Sequence, residues 1–174
     1  AKANRFIYLD VEMDQSLKDF IELIKFEQTN YDLCVIANGF LPEENNDLDL
    51  EIITKCLQVN AISSIKLLAT LNETYLGKQP LSILILSSFS VVRPRIRNFT
   101  YGTSKSALDF YSIGASNKYR KSNISIKVIR MGYVYSKMTS NHKPAPFAIP
   151  LARVTKSVNQ LLYSKDQLIY LPKS

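Results

Sequence analysis

The chain has 174 residues, 46% hydrophobic and 21% charged, which suits one domain with a sizeable core; no apolar run approaches the roughly 18 residues of a membrane-spanning helix. Its formal charge of +7 is unevenly placed: residues 1–80 hold 7 Lys/Arg against 13 Asp/Glu, and residues 81–174 hold 15 against 2. Such a basic half draws phosphate-bearing ligands or an anionic membrane surface, or is simply solvated; no zinc spacing, RNA-recognition signature or helix-turn-helix pattern speaks for nucleic acid, and none is expected as a partner.

No secretory signal is visible in the first residues, where only four residues separate Arg5 from Asp10. Residues 5–9 read as a strand ending at Asp10-Val11. Leu17, Phe20, Ile21, Ile24 and Phe26 predict a helix with Asp14 or Ser16 as N-cap. Residues 32–37 predict a second strand closing on Asn38-Gly39-Phe40, and a polar loop covers 42–49. A long helix is expected over about 50–71, carrying Ile53, Leu57, Ile62, Ile65 and Leu68. The run 81–86 is short, apolar and branched, and reads as a buried strand stopping at Ser87-Ser88. From Gly102 to about Lys121 the pattern turns helical, with Ala107, Phe110, Tyr111, Gly114 and Ala115 marking one face. Residues 124–129 predict a fourth strand, followed by an irregular, proline-bearing segment through Pro150. A helix over 151–163 and a strand over 167–171 close the chain. This alternation predicts a parallel sheet with helices on both faces. Cys34 and Cys56 read as packing residues in a reducing cytoplasm.

Ser88 stands at the end of the third predicted strand, Tyr101 thirteen positions later, and Lys105 four beyond that. Side chains at i and i+4 of a helix lie one above the other, so Tyr101 and Lys105 point into the same space. An ammonium near a phenol stabilises its ionised form and lowers its pKa from about 10, making it a usable proton donor or acceptor near neutral pH. Open α/β sheets gather ligands at the C-terminal ends of their strands, where Ser88 falls. The plainer alternative is an amphipathic helix with a packed tyrosine and a surface lysine. His142 is the only histidine and makes no metal site.

The spacing Ser88-x12-Tyr101-x3-Lys105 resembles the active-site signature of the short-chain dehydrogenase/reductase family. Four further features match in order. Asp10-Val11 stands where the family has an Asp that approaches the adenine. Ala37-Asn38-Gly39 stands at the family's Asn-Asn-Ala-Gly turn, keeping only the final Gly in place. Val59-Asn60 matches the Asn that completes the catalytic set. Gly132-Tyr-Val134-Tyr-Ser136-Lys-Met138 resembles the loop that brackets the nicotinamide, with Met131 for its usual Pro and Ser136 for its Thr.

The resemblance implies a single Rossmann-like, doubly wound α/β/α domain over 1–174 and a cofactor, NAD(H) or NADP(H). It places Asp10, Val11, Ala37, Asn38, Gly39, Tyr101, Lys105, Gly132, Val134 and Ser136 against that cofactor. It implies a catalytic set of Asn60, Ser88, Tyr101 and Lys105. Tyr101 donates the proton, Lys105 lowers its pKa and holds the ribose, Ser88 bonds the substrate oxygen, and Asn60 anchors a relay water. Asn60 also reads as a buried helix residue satisfying a carbonyl. The family opens with a strand, a Gly-rich turn, a helix and a strand, but all five glycines here lie elsewhere. The first two strands, roughly 60 residues at about thirty per strand–helix unit, are therefore expected to be missing by N-terminal truncation. The pyrophosphate cradle and the residue that selects NADH or NADPH fall in that piece.

Within the family, segments 37–42, 97–102 and 134–146 resemble reductases of a 2-keto pentose carried on a polyprenyl phosphate. That implies a small-molecule or lipid-linked keto-sugar substrate, a cytoplasmic location at the inner face of the membrane, and peripheral membrane contact. Arg93, Arg95, Arg97, Lys137 and Lys143 flank the expected cleft, either for that phosphate or as a solvated rim. By the same resemblance the chain pairs as a homodimer or homotetramer through the helices at about 50–71 and 102–121. Gly114 and Ala115 would either permit that approach or pack onto the sheet. The competing class is a non-catalytic relative, a scaffold that binds no dinucleotide.

Overall fold

The computed structural model of the protein describes residues 7–27, 29–44, 46–142, 148–161, 164 and 166–171. Helix α1 (Asp14–Glu27) is followed by strand β1 (Leu33–Ile36), then by α2 (Leu50–Leu57), a π-helical turn (Gln58–Ile62) and α3 (Ser63–Tyr75) in one continuous rod. Strand β2 (Leu81–Ser88) leads through a short 3-10 turn (Phe89–Val91) into α4 (Phe99–Lys118) and β3 (Ile124–Met131). Next come β4 (Val134–Tyr135), a second 3-10 turn (Lys137–Thr139), β5 (Ile149–Pro150), α5 (Leu151–Leu161) and β6 (Leu168–Leu171).

The main sheet is parallel, in the order β1-β2-β3-β6. A central parallel strand is covered on both faces and so is apolar nearly throughout. β2 meets this with Leu81, Ile83, Leu84 and Ile85 at most 1% exposed. On one face Ile83, Ile85, Ile126 and Val128 meet Leu17 of α1, Leu67, Leu68 and Leu71 of α3, and Leu108 of α4. On the other, Leu84, Ile129, Ile169 and Leu171 meet Leu161 of α5. This is a three-layer, Rossmann-like α/β/α arrangement. The register aligns Leu81 with Ile124 and Ser88 with Met131, so β2 and β3 end side by side.

Several boundaries differ from the sequence expectation, each for a physical reason. Residues 7–9 form no strand, and residues 5–6 lie outside the described residues; Leu9 packs against the core instead. Among the described residues no strand lies beside it to give such a run a ladder to join. α1 begins at Asp14, so neither Asp14 nor Ser16 is its N-cap, and the Ser16 hydroxyl instead accepts the Asp10 N–H at 3.0 Å. The α2–α3 rod runs to Tyr75 and is long and apolar enough, by length and composition, to cross a membrane. In this fold it is a core helix, with Leu67, Leu68 and Leu71 buried against the sheet. β4 and β5 pair in parallel within the segment expected to be irregular.

In α4 the apolar stripe marked in the sequence lies mostly outside. Its buried side is Gly102, Ser104, Lys105, Leu108, Asp109, Ser112 and Ser116. Ala107, Tyr111 and Gly114 are exposed and Phe110 is 85% exposed, while Ala115 alone of the predicted stripe packs on the core. The helix therefore turns its polar side inward, toward the ends of β2 and β3.

Candidate active site

α4 starts at Phe99, three residues before the predicted Gly102, so Tyr101 already lies in its first turn. Asn98 at the N-cap makes no side-chain capping bond. The cap comes from the loop before α2: buried Asp47 accepts the Thr100 N–H at 2.9 Å through Oδ1, and its carbonyl accepts the Thr100 hydroxyl at 2.8 Å. A carboxylate there satisfies an orphan N–H and complements the helix dipole. It also fixes the turn that carries Tyr101.

Tyr101 and Ser88 stand together on the wall of a cleft of about 300 Å³, with the Ser88 hydroxyl near enough to favour the phenolate. The cleft brings together Ala37, Ser88, Tyr101, Gly132, Val134 and Ser136, six of the predicted site residues. Ser90, which the sequence reading did not single out, also lines it. The Ser90 N–H and hydroxyl both donate to Ser88 Oγ, at 3.2 and 3.0 Å. With those lone pairs engaged, the one Ser88 proton is left for the cleft side.

Lys105 lies one turn beyond Tyr101 and is 4% exposed, its Nζ donating to the Asn38 and Leu86 carbonyls, each at 3.3 Å. Burial lowers its pKa from 10.5 to about 8. The expectation that Lys105 would lower the Tyr101 pKa is corrected here. Burial pushes the phenol up from 10.0 to about 12, against the lowering effect of the Ser88 hydroxyl, and Cys56 adds a smaller upward push. Desolvation of the phenolate outweighs any help from the ammonium. Tyr101 is therefore held as the protonated phenol.

Asn60 sits in the π-helical turn and is fully buried. Its amide donates to the Phe40 carbonyl at 2.8 Å and to Ser104 Oγ at 2.9 Å, and Oδ1 accepts the Phe40 N–H at 2.6 Å. It thus satisfies a carbonyl, as one of its two readings held, and ties the turn after β1 to α4. Such widened turns inside helices recur at functional sites. Asn38 spends its side chain on the Val59 carbonyl (2.6 Å), Ser63 Oγ (3.1 Å) and Ser64 Oγ (2.9 Å), so only its backbone faces Lys105. At Gly39 a Cβ would come 3.2 Å from Met138 Cε and 3.5 Å from both Asn60 Oδ1 and Lys105 Nζ. The chain passes close over the Asn60–Lys105 pair because it carries no side chain there.

Asp10 and Val11 lie away from this cleft. Val11 lines an adjoining groove with Ala37 and Asn38, and Ala37 borders both spaces. The Asp10 carboxylate accepts the Glu12 N–H at 2.9 Å. On the basic rim, Arg95 lines the cleft and Arg97 pairs with Glu44 at 3.3 Å; Lys143 lies outside the described residues. The thiols of Cys34 and Cys56 are both pushed up to about 11 by burial, as suits packing residues.

Known proteins are similar to this chain in sequence or in fold. The chain is 23% identical over 140 residues to an uncharacterized oxidoreductase of Mycobacterium tuberculosis, covering 80% of this chain and 56% of the relative. It thus spans little more than half the length of that curated relative. Among solved structures, a short chain dehydrogenase family protein from Francisella tularensis superposes with a TM-score of 0.80 at 20% identity, over 98% of this chain and 81% of the other. A short chain dehydrogenase from Burkholderia cenocepacia, solved with NADP, gives 0.79 at 14% identity, over 97% and 71%. The bulky-bulky ketone specific alcohol dehydrogenase from Comamonas testosteroni gives 0.82 at 15% identity, over 96% and 65%. The family model described as short chain dehydrogenase matches residues 1–146. A match over so much of its 174 residues means that the chain belongs to the short chain dehydrogenase family.

Proposed function

We propose that the protein is an NAD(P)-dependent oxidoreductase that reduces a keto group. The observation that carries this reading is the Ser88–Tyr101 hydroxyl pair on the cleft wall, with buried Lys105 one turn behind it. Bound dinucleotide supplies the hydride. Tyr101, protonated at neutral pH, gives its proton to the oxygen of the nascent alkoxide. Ser88 donates a hydrogen bond to the same oxygen as charge develops on it. Lys105 has two long bonds to carbonyls and a third N–H to offer a ribose hydroxyl. Asn60 Oδ1 keeps a lone pair beyond the Phe40 N–H, an acceptor for a water that relays protons to Lys105.

The residues present fit such a cofactor. The side-chain-free backbone at Gly39 lets a ring approach Lys105, and Gly132, Val134 and Ser136 line the facing wall. Val11 and the backbone of Asn38 border the adjoining groove that would take the adenosine end, with Asp10 beside it. The outer edge of β1, with Leu33 38% and Val35 47% exposed, has no strand against it among the described residues. Tyr101→Phe in the product of the complete reading frame is the test: loss of carbonyl reduction with dinucleotide binding retained supports the assignment, and full activity refutes it. If the wild-type protein binds neither NADH nor NADPH, the scaffold reading replaces this one.

The substrate we infer is a keto sugar on a polyprenyl phosphate, as in decaprenylphosphoryl-2-keto-ribose reductases, handled in the cytoplasm at the inner face of the membrane. Arg95 on the cleft and the basic C-terminal half support a phosphate-bearing substrate. Arg95→Ala should raise KM for phosphate-bearing keto sugars and spare simple ketones; equal effects on both would remove this substrate class. The exposed Phe110–Tyr111 stripe on α4 favours a homodimer or homotetramer, checked by the mass of Phe110→Lys against wild type in light scattering.

A further inference from the structure

Asp109 is 3% exposed and lies on the inner face of α4, one turn beyond Lys105. It accepts the Ser87 hydroxyl at 2.6 Å and takes Arg130 in a two-point grip, Nε to Oδ1 at 3.0 Å and Nη2 to Oδ2 at 2.6 Å. Arg130 also donates through Nη1 to the Tyr170 hydroxyl at 2.7 Å and lies 5.5 Å from that ring's centroid. Tyr170 in turn stacks on Phe89 at 5.6 Å, and Phe89 lies where a Cβ on Gly132 would meet it at 3.3 Å.

These contacts close a ring around the tip of β2. Ser87 and Phe89, the two chain neighbours of Ser88, are both held by it. So is β3, just before Gly132 enters the loop at the cleft. A bidentate guanidinium–carboxylate pair fixes angle as well as distance. A buried ion pair is often no more stabilising than apolar residues of similar volume, so stability alone does not account for this one. The three elements it joins are those that bring Tyr101, Ser88 and Gly132 to one cleft.

We propose that Asp109 and Arg130 are positioning residues that set Ser88 and the Gly132 loop against Tyr101 for carbonyl reduction. The inference rests on the reductase reading for its kinetic consequence, and on geometry alone for its structural one.

The test uses the product of the complete reading frame and an exchange of both partners, Asp109→Leu with Arg130→Met, which leaves no buried charge unpaired. Urea unfolding reports stability; steady-state kinetics with a ketone and NADH or NADPH report kcat and KM. Amide hydrogen exchange at Gly132, whose N–H is bonded to the Leu171 carbonyl at 2.8 Å, reports the loop without any need for turnover. The expected result is an unfolding midpoint near wild type, kcat lower by about 10–100-fold, dinucleotide KM little changed, and faster exchange at Gly132. A stable double variant with wild-type kcat and wild-type exchange overturns the proposal. If that variant does not fold, Ser87→Ala removes a single bond: a kcat drop with unaltered KM supports the role, and unaltered kcat overturns it. Should wild type turn over no carbonyl, the reductase reading fails, and the exchange measurement alone decides the positioning role.

Discussion

Replacing Lys105 by Met should stabilise the fold while removing its activity. The ammonium is buried, and its pKa falls from 10.5 to about 8. At 1.36 kcal/mol per pKa unit, keeping it charged at pH 7 costs the folded state about 3 kcal/mol relative to a neutral amine. The sign follows from proton uptake: between pH 8 and 10.5 the unfolded chain holds this proton and the folded one does not, so stability rises with pH. The penalty is complete below the folded pKa and gone above the unfolded one. Against that gain, Met leaves the Asn38 and Leu86 carbonyls without a donor; at 3.3 Å these bonds are long, and losing both costs about 1 kcal/mol. Lys105→Met should therefore be more stable than wild type by about 2 kcal/mol at pH 7, and the gap should close by pH 10. Tyr101, Cys34 and Cys56 have raised pKa values and contribute stability that is lost as pH rises through their titration. They are common to both proteins, so the difference between the two urea unfolding curves isolates Lys105. A Lys105→Met protein less stable than wild type at pH 7, or a gap that stays constant from pH 7 to 10, would refute the reasoning.

Further measurements bear on other parts of the fold. Asp47→Ala should lower unfolding free energy by about 1–2 kcal/mol, with Asp47→Asn recovering part of it, because the α4 cap and its bond to Thr100 are lost. A neutral result would mean that another group caps α4. Gly77 has φ of +73° and open space around it, so Gly77→Ala should cost about 1 kcal/mol through backbone conformation alone and Gly77→Asn less, as thermal unfolding would read. Both thiols, pushed up to about 11, should react slowly with a disulfide reagent at pH 8 until urea exposes them; rapid labelling of the folded protein contradicts their burial.

The parts of the fold that could be read from sequence are those set by local patterning. β2 and β3 are runs of branched apolar residues buried on both faces, and each is found where it was expected, extended by two residues along its neighbour. Residues 7–9 continue the same kind of run and form no strand, because a strand needs a partner and the run itself does not say whether one is there. The α4 cap is equally non-local: Asp47 lies 53 residues before Thr100. No window of sequence connects an aspartate in a polar loop with the start of a distant helix.

The site divides along the same line. Spacing brought Tyr101 and Lys105 to one side of α4, and the strand-end rule brought Ser88 to meet Tyr101. Spacing cannot weigh desolvation, and here desolvation sets both pKa values, moving the phenol up and the ammonium down. The direction is chemically useful. A phenol that stays protonated through neutral pH is the acid that a nascent alkoxide requires, and an amine with a pKa of about 8 is within reach of returning a proton to it. The outward apolar stripe of α4 has the same origin. Apolar periodicity marked one face with Phe110 and Tyr111 without saying which way it turns, and the ends of β2 and β3 present Ser87 and Arg130, whose desolvation must be matched by Asp109. A helix that has to carry Lys105 and Asp109 inward cannot also turn Phe110 inward, so its apolar stripe is left outside.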